Sequence, residues 1–174
     1  LEVTIDYFPS ENISSDAIKK ISAYADDGAM LVFPNSRDKV ETFAVKLGQE
    51  FKETGKDIRV FAHHSSVSKN RRKEIEDFAK KARMEQFVIC ATSTLELGID
   101  IGAVTSVCQY GPSHSVLSLA QRLGRSGRKT KTSILHQISA NPWDLLEALA
   151  TISLYEDGIL DKTEETHKAY DVFA

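Results

Sequence analysis

An arginine-rich segment with the sequence QRLGRSGR, residues 121–128, carries the side chains best suited to chemistry in this chain. It follows an amphipathic helical pattern, and if that helix continues, Gln121, Arg125 and Arg128 share one face. Guanidinium groups bind phosphate oxygens through paired N–H donors, so this face suits a dense anion such as a nucleoside triphosphate. Arg122 lies one step round the helix, where an internal salt bridge fits better. A solvated basic helix end is the alternative.

The distribution of charge around this segment favours an anion site. The chain has 174 residues and a formal net charge of −3, so no overall basic charge marks it as a general polyanion binder. No acidic residue occurs between Asp100 and Asp144, and several cations fall in that window: Arg122, Arg125, Arg128, Lys129 and Lys131. A locally positive surface on a mildly acidic protein fits a discrete anion better than a nucleic-acid coat.

Other residue types exclude several classes of protein. Cys90 and Cys108 lie in separate apolar runs and predict buried thiols, and the histidines show no metal-ligand spacing, so we expect no metal site. There is no signal peptide and no apolar run of membrane length, which favours a cytoplasmic or nucleoid-associated protein. The chain begins at a leucine and ends within a helical pattern, so we expect it to be part of a longer protein.

The elements that must position these residues alternate along the chain. Short apolar runs predict strands at residues 3–8, 29–33, 58–62, 87–91, 104–110 and 133–138. Helical patterns lie between them, with candidate N-caps at Ser14 or Ser15, Ser36, Ser68, Ser115 and Asn141. This order predicts an α/β fold, an open and mostly parallel sheet with helices on both faces.

Polar residues follow three of the predicted strands, where ligands bind in such sheets. These are the segments Asn35–Arg37, His63–Ser66 and Thr92–Thr94. Plain helix capping explains Ser36 and Ser68, whereas three adjacent hydroxyls at residues 92–94 exceed what one cap needs and favour phosphate contact. Asp100 lies between two isoleucines and needs a partner, either a ribose hydroxyl or an arginine.

Two kinds of nucleotide-binding machinery are missing from the sequence. There is no G-x-x-x-x-G-K-[ST] phosphate loop and no cluster of acids suited to Mg²⁺. The chain therefore has arginines suited to a nucleotide without the means to hold that nucleotide alone. This combination predicts a domain that completes a site built mostly by another domain, by supplying arginine fingers.

Four segments resemble the motifs of superfamily 2 DExH/DEAD-type helicases, in the order of that family. Residues 31–37 resemble motif IV, residues 63–72 the H-H-x-S segment that follows it, residues 91–102 motif V and residues 121–128 motif VI. The sequence ATSTLELGIDIG at residues 91–102 is similar to that of the large helicase-related (Lhr-type) branch. The resemblance implies a second RecA-like domain, P-loop NTPase-like without its own P-loop, over residues 1–158. A tail at 159–174 would lead toward a winged-helix-like domain.

The resemblance also implies roles for individual residues. The arginine fingers would be Arg125 and Arg128, with Gln121 near the same phosphate. Gly98 and Asp100 would face the ribose of ATP. Residues along the nucleic-acid track would be Asn35, Ser36, Arg37, His64, Ser65, Thr92 and Ser93. Structural roles in motif VI would fall to Arg122, Gly124 and Gly127. His63-His64-Ser65-Ser66 carries serine where relatives often have glycine, which makes close backbone approach to a phosphate less certain.

The implied protein is an ATP-dependent helicase, and its cofactors would be ATP and Mg²⁺, the metal held mainly by a preceding RecA-like domain. Its partner would be single-stranded or partly duplex nucleic acid, with DNA favoured over RNA. This segment alone would be inactive. Three alternatives stay open: a duplex translocase or repair relative, a non-catalytic RecA-like nucleic-acid-binding module, and a self-contained nucleotide-binding domain, which the missing glycine-rich loop disfavours.

Overall fold

The computed structural model describes residues 1–82, 85–95, 101, 104–126 and 132–161. Its described residues form one parallel sheet of six strands in the order β1-β6-β5-β2-β4-β3. The strands are β1 (Glu2–Tyr7), β2 (Met30–Pro34), β3 (Arg59–His63), β4 (Phe87–Ala91), β5 (Ser106–Tyr110) and β6 (Ile134–Ser139). Every pairing is parallel, so the predicted open sheet is confirmed.

The α-helices of the described residues each follow a strand: α1 (Ser15–Tyr24), α2 (Arg37–Glu53), α3 (Lys69–Lys81), α4 (Val116–Leu123) and α5 (Pro142–Glu156). Each begins at a side-chain cap, whose oxygen accepts the backbone N–H three residues further on. The caps are Ser14, Ser36, Ser68, Ser115 and Asn141. These side chains satisfy N–H groups that have no partner within the helix, so the short polar residues predicted as caps do set the helix starts. None of the described helices is long and apolar enough to cross a membrane.

Helices cover both faces of the sheet, because alternate strand residues point to opposite sides. On β2, Leu31 and Phe33 are buried in a core that includes residues of α3, α4 and α5. Met30 and Val32 are buried in a second core with residues of α1 and α2. Strands buried on both faces read as continuous apolar runs, which is the pattern that predicted them.

The crevice between β2 and β5 is a topological switch point. From β2 the chain passes through α2 toward β3, and from β5 it passes through α4 toward β6, on the other side of the sheet order. The two helices also cover opposite faces. In open α/β sheets such a crevice, outside the carboxyl ends of the strands, is a usual place for ligands.

The helix that contains the first residues of the arginine-rich segment ends earlier than a shared helical face requires. Helix α4 stops at Leu123, and the following residues turn toward Val104, which forms an isolated parallel bridge with Ser126. The predicted strand at 104–110 is correspondingly shorter, since β5 begins at Ser106. Gln121 and Arg125 are therefore not held on one face by a continuous helix, and the turn at 124–126 sets the position of Arg125.

Candidate functional site

The loop after β2 places three predicted residues at the carboxyl edge of the sheet. Asn35, Ser36 and Arg37 are all exposed. The Ser36 hydroxyl accepts the backbone N–H of Lys39 at 3.2 Å, so its first role is the cap of α2. The Arg37 guanidinium donates to the hydroxyl of Ser66 at 3.1 Å, which ties the start of α2 to the loop after β3.

Two histidines at the end of β3 are buried rather than displayed. His63 is fully buried and contacts the Glu76 carboxylate of α3 at 3.0 Å. His64 is 5% exposed, and its Nε2 lies 2.5 Å from a carboxylate oxygen of Glu41 on α2. The Ser66 backbone N–H donates to His64 Nδ1 at 3.3 Å, so Nε2 carries the proton and donates to Glu41. His64 thus shapes this loop, and the exposed side chain beside it is Ser65.

The loop after β4 lies directly beside that loop. The backbone N–H of Thr92 donates to the carbonyl oxygen of His63 at 3.3 Å. Thr92 is half-buried, and Ser93 is exposed at the start of a 3₁₀ helix, Ser93–Leu95. Because β2, β4 and β3 are neighbours in the sheet, the three loops form one row of polar side chains. The structure therefore brings the residues expected along the nucleic-acid track to one edge of the sheet, with His64 buried behind the exposed side chains.

A buried polar network lies beneath this row, and the sequence patterns did not identify its centre, Gln109. Gln109 is fully buried on β5, and its amide nitrogen donates to the carbonyl of Phe33 at 3.1 Å. The same nitrogen lies 3.4 Å from the side-chain oxygen of Asn35 and 3.4 Å from the carbonyl of Pro112. The only available signal was one amide side chain within the apolar run 107–110.

Arg122 joins helix α4 to this network. It is 7% exposed, one guanidinium nitrogen donates to the side-chain oxygen of Gln109, and the guanidinium carbon lies 4.9 Å from the centre of the Phe33 ring. A buried guanidinium gains stability from an aromatic face and from a hydrogen-bonded oxygen. The sequence suggested a pair with Asp100, which lies outside the described residues, and Gln109 is one partner of Arg122 within the described part of the chain.

Within the arginine-rich segment, the turn that carries Arg125 lies at the opposite edge of the sheet. The backbone N–H of Arg125 donates to the carbonyl of Arg122 at 3.0 Å, and its own carbonyl accepts the N–H of Val104 at 3.2 Å. Val104 precedes the first residue of β5, so Arg125 lies beside the amino end of that strand. Gln121 and Arg125 are both half-buried. Gly98, Asp100, Gly127 and Arg128 lie outside the described residues.

The predicted site residues that the structure describes form two groups. The row of polar loops lies at the carboxyl ends of β2, β4 and β3, whereas Arg125 lies at the amino end of β5. A strand of five residues separates the two edges by roughly 16 Å at about 3.3 Å per residue. One small ligand therefore cannot touch both groups at once.

The crevice beside β5 is mildly polar. A hollow of about 280 Å³ lies there, and its lining includes Lys39, Tyr110 and Asp144. Burial raises the pKa of Tyr110, and the Asp144 carboxylate raises it further, so the phenol stays neutral. The Lys39 ammonium lies 5.7 Å from the centre of the Tyr110 ring. Within the part of the chain that is described, no group of three or more His, Cys, Asp or Glu could hold a metal ion.

Comparison with known proteins identifies the class that this fold and these motifs define. The family of the helicase conserved C-terminal domain matches residues 14–130, so the chain belongs to that family. The resemblance to superfamily 2 helicases and to their Lhr-type branch is confirmed by relatives. The chain is 34% identical over 168 residues to the ATP-dependent helicase Lhr-Core of Methanocaldococcus jannaschii, covering 92% of this chain and 18% of that protein.

Solved structures agree with this assignment. The structure of Mycobacterium smegmatis helicase Lhr bound to ssDNA and AMP-PNP matches with a TM-score of 0.78 and 30% identity, covering 92% of this chain and 22% of that one. The C-terminal domain of the DEAD-box protein Dbp5 matches in fold, with a TM-score of 0.65 and 18% identity over 89% of this chain and 86% of that one. The RecA-like fold is thereby confirmed, and the chain spans about a fifth of the length of these two Lhr-type relatives.

Proposed function

We propose that this chain is the second motor domain of an ATP-dependent nucleic-acid helicase, with nucleic acid at the carboxyl edge of its sheet and nucleotide at the amino edge. The observation that carries the proposal is the separation of the two groups of polar residues. A motor that converts turnover into movement needs a nucleotide site and a nucleic-acid site that are distinct and linked. The relatives named ATP-dependent helicases support the same reading.

The row of loops at the carboxyl edge is the proposed nucleic-acid track. Helices α2 and α3 begin there, and helix N-termini favour phosphate groups through their backbone N–H groups and dipoles. Among the exposed side chains, Arg37 supplies charge, while Ser65 and Ser93 supply hydroxyls. Backbone phosphates are a target for all of these groups. DNA is the favoured strand, because the Lhr structure at 30% identity contains ssDNA.

The nucleotide would lie against the arginine-rich segment, across a cleft from a preceding motor domain. Arg125 and Arg128 are the proposed fingers for the γ-phosphate, Gln121 lies near the same phosphate, and Gly98 and Asp100 face the ribose. Guanidinium groups supplied from outside the phosphate-binding loop stabilise charge that develops in the transition state. We place Mg²⁺ mainly in the preceding domain. This domain would cover residues 1–158.

The proposed cycle is closure and opening. ATP bridges the two motor domains, the fingers engage, and the hold on the single strand at the carboxyl edge changes. Hydrolysis removes the phosphate that the fingers contact, and the domains separate. Only differential interaction with the two states can drive such a change, and here the difference is the γ-phosphate.

Arg125→Ala in the full-length protein tests this proposal. We expect ATP turnover to fall by about 10³-fold or more, because the finger stabilises the transition state. Binding of a fluorescent single strand stays largely unchanged, since the track lies at the other edge. Arg59→Ala is a matched control: Arg59 is an exposed arginine at the amino end of β3, with its guanidinium 4.7 Å from the centre of the Phe78 ring. Near wild-type turnover in Arg125→Ala would contradict the assignment.

A further inference from the structure

Gln109 links the carboxyl edge of the sheet to helix α4 through the two ends of one side chain. Arginine has only donors, so the atom of Gln109 that faces Arg122 is its carbonyl oxygen. The amide nitrogen therefore faces three acceptors at the carboxyl edge: the carbonyls of Phe33 and Pro112 and the side chain of Asn35. Because the amide is planar and rigid, its two ends cannot move independently.

The far end of this connection leads to the arginine-rich segment. Arg122 lies on the last turn of α4, and its carbonyl accepts the backbone N–H of Arg125 at 3.0 Å. A displacement of Arg122 along the helix axis would therefore be transmitted to the turn that carries Arg125. At the near end, Asn35 is exposed in the proposed nucleic-acid track. The hydrogen-bonded path from Asn35 to Arg125 runs through Gln109 and Arg122.

We propose that Gln109 is a positioning residue that couples occupation of the nucleic-acid track to the placement of Arg125, so that single-strand binding stimulates ATP turnover. The proposal rests on the function proposed above and names the contact that links its two sites. Movement of Asn35 by a bound strand would shift the amide of Gln109, and the amide would shift Arg122. Gln109 touches neither ligand in this mechanism.

A second buried glutamine separates this role from simple filling of the core. Gln137 lies opposite Gln109 in the register of β5 and β6 and is equally buried. Its amide nitrogen donates to the carbonyls of Gly111 at 3.0 Å and Ile138 at 3.2 Å, and to the hydroxyl of Ser139 at 3.4 Å. Those partners lie on its own strand and the adjacent loop. Removing the amide of Gln137 therefore disrupts a comparable buried network but removes no hydrogen bond of the path from Asn35 through Gln109 and Arg122 to Arg125.

The experiment compares Gln109→Met, Gln109→Glu and Gln137→Met in the full-length protein. The readout is the ratio of ATP turnover with saturating single-stranded DNA to turnover without it. A partly unfolded preparation still reports this ratio, because loss of folded protein lowers both turnovers equally. Gln109→Glu keeps the acceptor for Arg122 and loses the donor toward Phe33 and Asn35, so it cuts the connection while retaining the pair with Arg122.

We expect both Gln109 variants to lower the stimulation ratio by about fivefold or more, the lower end of usual coupling between sites. Gln137→Met stays within about twofold of the wild-type ratio. A ratio within about twofold of wild type in either Gln109 variant overturns the coupling role, as does an equal loss in Gln137→Met. If Arg125→Ala abolishes turnover in the same assays while Gln109→Met keeps the ratio, only this inference fails. If Arg125→Ala hydrolyses ATP at the wild-type rate, the proposed function itself is wrong, and the coupling role of Gln109 is wrong with it.

Discussion

His136 carries a buried imidazole on β6, and one of its ring nitrogens has no hydrogen-bond partner among the described residues. The residue is 6% exposed, and that nitrogen is Nδ1. Its ring stacks on that of Tyr24 with 3.6 Å between centroids. Burial lowers its pKa, the carboxylates of Asp27 and Asp6 oppose that effect, and the ammonium of Lys20 adds to it. The folded protein therefore favours the neutral imidazole.

This environment predicts that the 174-residue chain loses stability as the pH falls below about 6.5, the unperturbed pKa of the group. The unfolded chain takes up a proton there that the folded chain does not, so the loss continues down to the lower pKa of the folded state. Above the unperturbed value the contribution is complete and constant. Each pH unit between the two pKa values corresponds to about 1.4 kcal/mol. Urea titrations between about pH 5 and about pH 8 measure it.

His136→Phe is the matched variant for this measurement, because phenylalanine keeps a flat ring against Tyr24 and removes the titrating group. The other histidines contribute equally to both proteins. We therefore expect the free energy of unfolding of the variant to depend less on pH than that of the wild type. Equal pH dependence in the two proteins would show that His136 takes up its proton as readily when folded.

At the scale of elements, the turn after β5 needs glycine for two reasons, its backbone conformation and the lack of space for a side chain. Gly111 has a φ of +78°, and a Cβ there would lie 2.9 Å from the side-chain nitrogen of Asn35. Gly55, after α2, has a similar φ of +70° with nothing within 4 Å of an added Cβ. Both positions require the left-handed region, and only Gly111 also requires the space.

We expect Gly111→Ala to lower the free energy of unfolding more than Gly55→Ala does. Both substitutions incur the backbone cost of about 1–2 kcal/mol for an L-residue in this region. Gly111→Ala adds a steric cost of about 1 kcal/mol, since Asn35 must move. Chemical denaturation of the two variants measures the difference. Equal losses of unfolding free energy in the two variants would mean that Asn35 moves aside without an energetic cost.

The helix starts were predictable from the sequence, whereas the end of α4 was not. Short polar residues such as Ser68 and Asn141 mark helix starts, because capping depends only on residues within one turn. Helix α4 ends at Leu123, and Ser126 then bridges to Val104, more than twenty positions away in the sequence. Local patterns carry no information about that contact.

At the scale of the whole molecule, the lack of information about contacts between residues distant in sequence also explains what sequence analysis missed at the site. The sequence placed the polar loops at strand ends correctly, since parallel strands share a carboxyl edge. It did not reveal that Arg125 lies at the other edge, because that depends on where α4 ends. It also did not identify Gln109, since the partners of a buried amide come from strands and helices distant in sequence. Strand order and long-range pairing determine both the position of Arg125 and the partners of Gln109.

The separation of the two edges leads to a prediction about the domain by itself. In the proposed function Arg125 supplies charge toward a phosphate, but the sequence contains no phosphate loop to hold the rest of the nucleotide. We therefore expect calorimetric titration of the 174-residue chain with ATP to show no saturable binding tighter than about 1 mM, and no turnover. Under the proposed function, we expect the full-length protein to bind and hydrolyse ATP, because a preceding motor domain would complete the site.

Single-strand binding by the same chain is the internal control for this titration. The proposed nucleic-acid track at the carboxyl edge is built from loops after β2, β3 and β4. We therefore expect this chain to retain some affinity for a strand without the other domain, and added salt to weaken it. A fluorescence titration with short single-stranded DNA measures it on the same preparation. Micromolar ATP binding by this chain would indicate a self-contained nucleotide site, and the arginine-finger role of Arg125 would then be wrong.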